Sequence, residues 1–199
     1  DVNTYQAAGE KVCDLLNAAN IPFGSFVFAD KALEPDEHAV GAAFMHFDKS
    51  CDVVVGVGSG VINDVCKILS NLTGRPYLIV ATAPSMDGYA SATSSMSMDG
   101  VKVSMSSRCA DVIIGDTDIL KTAPDHMLRS GLGDMLAKFV SIAEWRIAHI
   151  ITGEYYCEEV AQLIRTAVKK CVDNAQGLLK REDAAIEAAD IVIMNDAPS

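Results

Sequence analysis

Two acids, three hydroxyls and a run of glycines are the residues of this 199-residue chain whose types and spacing could do chemistry. Gly56-Val57-Gly58-Ser59-Gly60 follows an apolar run and precedes a helical one. Glycines remove side-chain bulk and tolerate positive φ, so successive N–H groups and the next helix N-terminus can point at phosphate oxygens. The spacing is G-x-G-x-G rather than G-x-G-x-x-G, and no G-K-S/T follows. No acid lies between Val65 and Met86 to hold a ribose in the usual dinucleotide-binding manner. The run therefore reads as a phosphate cradle or as a tight strand-to-helix turn, with Asp64 and Lys67 as partners of a ligand or as a solvated helix face.

Ala81-Thr82-Ala83-Pro84-Ser85-Met86-Asp87-Gly88-Tyr89-Ala90-Ser91 follows the next apolar run, and parallel sheets bind ligands at the C-terminal ends of their strands. Hydroxyls at Thr82, Ser85 and Ser91 suit a nucleotide, and the Asp87 carboxylate suits a hydroxylated substrate. An ordinary polar loop with an Asp-Gly turn is the other reading. Asp134, in Ser130-Gly131-Leu132-Gly133-Asp134-Met135-Leu136-Ala137-Lys138, is placed at the start of a long apolar helix. It is either a metal ligand facing the sheet or a first-turn carboxylate complementing the helix dipole. His38, His46, His126 and His149 form no H-x-x-x-H pair. His149 lies about 22 Å beyond Asp134 along one helix at the standard rise, too far for one ion to bridge.

These groups need elements to position them. Helical spacing runs from Tyr5 to Asn20, and Ser25–Ala29 is strand-like. Pro35 opens a helix with Asp36 and Glu37 in its first turn. Cys51–Gly56 reads as a buried parallel strand, Val61–Leu72 as a helix, Pro76–Ala81 and Ala110–Gly115 as strands. Strands alternating with helices mean βαβ units on a parallel sheet. Ser94–Met98 and Val101–Met105 around Asp99-Gly100 read as a hairpin standing off that sheet. Beyond Pro124 helical periodicity predominates, in Gly133–His149, Tyr155–Leu179 and Glu182–Met194. The expected fold is α/β: a Rossmann-like parallel-sheet nucleotide-binding domain over 1–121, its first strand missing, then an incomplete all-α metal and substrate domain over 122–199.

Half of the residues are apolar and 22% charged, a globular profile with a sizeable core. Sixteen basic against 27 acidic residues give a net charge of -11, whose field repels phosphate backbones at long range and argues against nucleic acid. A small anionic ligand remains compatible, since turns and helix N-termini bind phosphate locally. The longest stretch without Asp, Glu, Lys or Arg, Leu15–Ala29, is too short and polar for a membrane span. Six scattered cysteines without a C-x-x-C pair read as small hydrophobes in a reducing, cytoplasmic setting.

With its three motifs in this order, the chain resembles the sn-glycerol-1-phosphate dehydrogenase branch of the superfamily that also holds glycerol dehydrogenases, iron-containing alcohol dehydrogenases and dehydroquinate synthase. Gly58-Ser59-Gly60-Val61-Ile62-Asn63-Asp64-Val65-Cys66-Lys67 is similar to the superfamily's G-G-S-x-x-D-x-x-K nucleotide loop. Ala83 to Ser91 resembles the branch signature, and Gly131 to Lys138 its metal-site helix. The resemblance implies that Gly60, Val61, Ile62, Asn63 and Asp64 hold the diphosphate of NAD or NADP. Thr82, Ala83, Pro84, Ser85 and Ser91 would hold the rest of the nucleotide. Asp87 would contact substrate, and Asp134 would serve both substrate and one divalent metal, zinc or nickel.

The implied reaction interconverts dihydroxyacetone phosphate and sn-glycerol 1-phosphate, with a part in glycerophospholipid synthesis; a homo-oligomer is expected, and the apolar helical tail suggests covering helices from the chain's missing end or from another subunit. Two histidine ligands are expected beyond Ser199, so that residues 1–199 alone would lack a closed metal site and activity. Three alternatives stand beside this. A glycerol dehydrogenase would act on the free polyol, and a dehydroquinate synthase-like lyase would need basic residues that are not evident around Asp87. A non-catalytic nucleotide-binding module would apply if the chain ends at Ser199.

Overall fold

The computed structural model describes residues 1–30 and 32–194. α1 (Val2–Thr4), a π-helical turn (Tyr5–Gly9) and α2 (Glu10–Ala18) follow one another without a break, opened by a capping box in which the Asp1 carboxylate takes the Thr4 N–H. α3 (Glu37–Met45) starts two residues after Pro35, because the Asp36 side chain caps it by accepting the Ala39 N–H at 2.7 Å. The strand expected at Ser25–Ala29 does not form. A strand needs a ladder partner, and here side chains hold the segment instead: Phe26 stacks on His46 with ring centres 4.1 Å apart, and Phe28 packs against the core.

β1 (Val54–Gly58) begins three residues after Cys51 and extends through two of the glycines. α4 (Gly60–Thr73) then ends at Gly74, which takes φ 67°, the left-handed conformation glycine adopts without strain. β2 (Tyr77–Ala81) and β5 (Val112–Gly115) complete a parallel sheet in the order β1-β2-β5. Its register pairs Gly58 with Ala81 and Ala81 with Gly115, so all three strands end together. Between them, β3 (Thr93–Met98) and β4 (Val101–Ser106) form the expected separate hairpin. Its two turn residues, Asp99 and Gly100, both have positive φ, as a type I′ turn requires.

The helical half is α5 (Thr117–Leu120), α6 (Asp125–Thr152), α7 (Glu158–Asp173), α8 (Ala175–Leu179) and α9 (Asp183–Met194). The helix expected over Tyr155–Leu179 is broken at Asn174. α6 starts at Asp125 rather than Gly133, so Asp134 lies in its third turn. The first-turn dipole reading of Asp134 therefore falls away.

The two faces of the sheet are covered unequally. Val54, Tyr77, Ile79 and Ala81 belong to a buried cluster that takes in Val65 and Leu69 of α4 and runs on through Leu128, Met135, Val168 and Ile186. One core thus passes continuously across the expected boundary near Lys121. On the other face Ala8 of the N-terminal helix covers Val80, while Val55, Val112 and Ile114 stay exposed. Among the described residues no helix is long and apolar enough to cross a membrane.

Candidate functional site

The site forms where β1 and β2 end. Ser59 alone separates β1 from α4, and its side chain makes no capping hydrogen bond. The Asn63 N–H closes the first helical ring on the Ser59 carbonyl at 2.9 Å, leaving the N–H groups of Gly60, Val61 and Ile62 aimed beyond the sheet. A Cβ on Gly60 would meet nothing nearer than Met86 Cγ at 3.7 Å, whereas one on Gly58 would lie 2.6 Å from Ile62 Cβ. Gly58 thus permits close strand–helix packing and Gly60 keeps the mouth of the helix open. An anion can sit there, with the helix dipole in its favour.

The side chains farther along α4 point elsewhere. Asn63 is fully buried; it accepts the Tyr77 hydroxyl at 3.1 Å and donates to the Gly88 carbonyl at 3.2 Å. Lys67, equally buried, donates to the carbonyls of Gly88 at 2.6 Å and Thr93 at 3.1 Å. Burial lowers the pKa of this ammonium, and the charge of Asp64 opposes that shift. Asp64 faces the hairpin, with the Ser95 N–H as a partner; burial pushes its carboxyl up to about 6, against the pull of Lys67 and Lys102. Asn63 and Lys67 therefore fasten the loop after β2 to α4, and Asp64 fastens the hairpin.

In that loop Thr82, Ala83 and Pro84 are buried, while Ser85 through Gly88 are partly open. The Thr82 N–H donates to the Gly58 carbonyl, tying the ends of β1 and β2 together. The Tyr89 hydroxyl donates to the Ala83 carbonyl at 2.8 Å and reaches the Gly58 carbonyl at 3.5 Å. Ser91 spends its hydroxyl locally, on Thr93. Met86 Sδ accepts the Gly88 N–H at 2.9 Å, and its side chain lies against Gly60.

Gly131 sets the position of α6. A Cβ there would fall 1.9 Å from the Pro84 carbonyl oxygen, so only glycine lets the helix approach the loop this closely. One turn on, Asp134 Oδ2 accepts the Asp87 N–H at 3.0 Å. One further turn on, the Lys138 ammonium pairs with the Asp87 carboxylate. Burial raises the Asp134 pKa and the charge of Asp87 adds to the rise; the Asp87 N–H and Lys138 oppose it. The expectation that no basic residue lies around Asp87 is thus corrected by Lys138. Its signal was the i, i+4 spacing from Asp134, which puts both side chains on one helix face. Tyr89 and Gly131 were likewise part of recognised segments without an assigned role.

The arrangement offers an anion cradle at the α4 N-terminus and, beside it, two carboxylates with an ammonium. It can bind a diphosphate and a hydroxylated or oxo ligand side by side. As a metal centre the described residues are incomplete: no group of three or more His, Cys, Asp or Glu side chains converges among them. His149 lies on α6 with Asp134 but turns Nδ1 to the Glu154 carbonyl at 2.6 Å, and His46 turns Nδ1 to Ala42.

A parallel sheet with a glycine turn between strand and helix, and a long helix packed on the loop at its strand ends, defines an α/β fold. Residues 1–124 match the family model described as iron-containing alcohol dehydrogenase, and the chain belongs to that family. A glycerol-1-phosphate dehydrogenase of Bacillus velezensis, named for NAD(P)+, is 32% identical over 190 residues, covering 94% of this chain and 48% of the relative. The enzyme of the same name from Halalkalibacterium halodurans is 32% identical over 200 residues, covering 99% and 49%. Among solved structures, glycerol dehydrogenase from Schizosaccharomyces pombe superposes with a TM-score of 0.78 at 21% identity, over 99% of this chain and 53% of that one. The chain spans about half the length of the curated relatives it matches.

Proposed function

We propose that this chain carries the nucleotide-binding half of an NAD(P)-dependent, metal-dependent oxidoreductase that interconverts dihydroxyacetone phosphate and sn-glycerol 1-phosphate in the cytoplasm, working as a homo-oligomer. The names of the relatives supply the substrate. The observation that supports the reading is the contact of Asp87 with Asp134 beside the N-terminus of α4, two carboxylates next to free helix N–H groups.

In this reading Gly60, Val61 and Ile62 donate N–H groups to the cofactor diphosphate, while Asn63 and Asp64 hold the cradle from behind. Thr82, Ala83, Pro84 and Ser85 wall the cleft toward the nicotinamide, with Ser91 shaping the return of the loop. Asp87 binds a substrate hydroxyl. Asp134 donates one carboxylate to a divalent metal, zinc or nickel, whose remaining ligands do not converge on it among the described residues. When bound, the nicotinamide supplies hydride to the carbonyl carbon and the metal draws charge from its oxygen. The chain's own contribution is alignment: Gly131 seats α6 on Pro84, which holds Asp134 and Asp87 at the mouth of the cradle.

The test is NADH oxidation by full-length protein, supplied with zinc or nickel, on dihydroxyacetone phosphate and on dihydroxyacetone, beside Asp134→Ala. Metal-dependent turnover of the phosphate ester, lost in the variant, is expected. Turnover of the free ketone alone would reassign the activity to a glycerol dehydrogenase, and turnover of neither would remove both.

A further inference from the structure

Two lysines serve the loop after β2, in opposite ways. Lys67 is sealed in the core and spends its ammonium on backbone carbonyls, which are fixed acceptors. Lys138 reaches the cleft side of the same loop and meets a carboxylate that is itself accessible: their side chains are 22% and 24% exposed. An ammonium on a four-carbon stem, paired with an accessible carboxylate, can exchange that carboxylate for another anion without unfolding anything. The setting demands such a cation. The chain has a net charge of -11, and the proposed substrate must lie beside Asp87 and Asp134. A phosphate dianion placed there would be repelled by Asp87, and the metal proposed on Asp134 would serve the carbonyl oxygen rather than the phosphate.

We propose that Lys138 is the specificity-determining residue that makes this site take a phosphorylated rather than a free polyol, by exchanging Asp87 for the substrate phosphate. This rests on the oxidoreductase reading above and names how its substrate class is chosen. Without a phosphate, Lys138 holds the Asp87 carboxylate and keeps it from a substrate hydroxyl. The arriving phosphate takes over the ammonium and releases Asp87 to accept that hydroxyl. A free polyol offers Lys138 nothing in return, so it must compete with the ion pair for Asp87. Positive charge at residue 138 is therefore both the phosphate site and the lock on Asp87.

Equilibrium binding of sn-glycerol 1-phosphate and of glycerol to the NAD-saturated full-length chain, measured by calorimetry for wild type, Lys138→Met and Lys138→Arg, tests this. Wild type is expected to prefer the phosphate ester. Lys138→Met should lose about tenfold or more in affinity for the ester while binding glycerol as well as before or better, and Lys138→Arg should retain part of the preference. Equal weakening of both ligands in Lys138→Met, no change in either, or a wild type without preference for the ester would overturn it. Should Lys138→Met fold poorly by circular dichroism, Lys138→Gln takes its place with the same expectation. Binding and turnover fail separately. Ester binding that depends on Lys138 without hydride transfer would sink the proposed activity and leave this inference standing. Turnover of the ester with unchanged preference in the variants would do the reverse.

Discussion

The two loops that meet at the site are built on different principles. The β1–α4 turn is local: one residue, Ser59, joins a strand ending in glycine to a helix starting in glycine, and its geometry follows from missing side chains. The loop after β2 is held from a distance. Asn63 and Lys67 grip the Gly88 carbonyl from α4, while Gly131, Asp134 and Lys138 of α6 bear on Pro84 and Asp87. A turn of the first kind presents backbone N–H groups that need little support. A loop of the second kind places side chains accurately only while two helices stay seated. Damage to the nucleotide cradle should therefore leave the fold standing, and damage to the second loop should reach stability and site together.

The largest expected effect is at Gly131. In Gly131→Ala the new Cβ meets a backbone carbonyl, which has no rotamer to move, so α6 must lift from Pro84. Overpacking against backbone costs about 3 kcal/mol or more, toward the upper end for such insertions. Chemical denaturation should show that loss, and a structure of the variant should show the Asp134–Asp87 contact broken. An unchanged unfolding midpoint would mean that α6 is not seated by this contact.

Lys67→Met comes next. It removes two hydrogen bonds to the Gly88 and Thr93 carbonyls, which leaves Thr93 without that partner at a cost of about 2 kcal/mol. It also removes the cation that draws Asp64 down, so the Asp64 carboxyl should titrate above its value of about 6. Carboxyl carbon NMR of wild type and variant reads that change directly; an Asp64 titration that stays put would show that the two charges do not feel each other.

Asp64 by itself gives an effect that depends on pH. Its folded pKa lies above the ordinary carboxylate range, so between about pH 4 and 6 the folded chain binds the proton more tightly than the unfolded one. Stability contributed by the protonated acid is thus present at the low end of that window and falls as pH rises through 6. The fall amounts to about 3 kcal/mol at most, since the rise is roughly two units and each is worth about 1.4 kcal/mol. Asp64→Asn should flatten this part of a melting-temperature profile, and a variant profile parallel to wild type would refute the assignment.

What was legible in the sequence divides along the same line. α4, β2 and the Asp99-Gly100 hairpin announced themselves through local pattern, because each is specified by residues adjacent in the chain. β1 is expected to end at Gly56 and runs on to Gly58, since Gly58 reads as turn although its bareness serves packing against Ile62. α6 was begun at Gly133 for a related reason. Gly131 is a poor helix former by propensity, yet it lies within α6 because close approach to Pro84 excludes any side chain. That error placed Asp134 in a first turn and left Lys138 without a role. The acids of the site were identifiable by type; their mutual geometry was not, because it depends on contacts more than forty residues apart, such as that of Asp87 with Asp134.

The smallest effect on stability is the sharpest test of the local turn. Gly60→Ala adds a methyl group where 3.7 Å separates the site from Met86, and alanine is the better helix former in the first turn of α4. The folded chain should gain up to about 0.5–1 kcal/mol. The same methyl group occupies the approach to the α4 N-terminus, so affinity for NAD should drop while the melting temperature holds or rises. Gly58→Ala provides the contrast, because its methyl group must displace Ile62 at a cost of about 1–3 kcal/mol. If Gly60→Ala binds NAD as wild type does, the open mouth of α4 is not where the diphosphate lies, and Gly60 would be no more than the start of a helix.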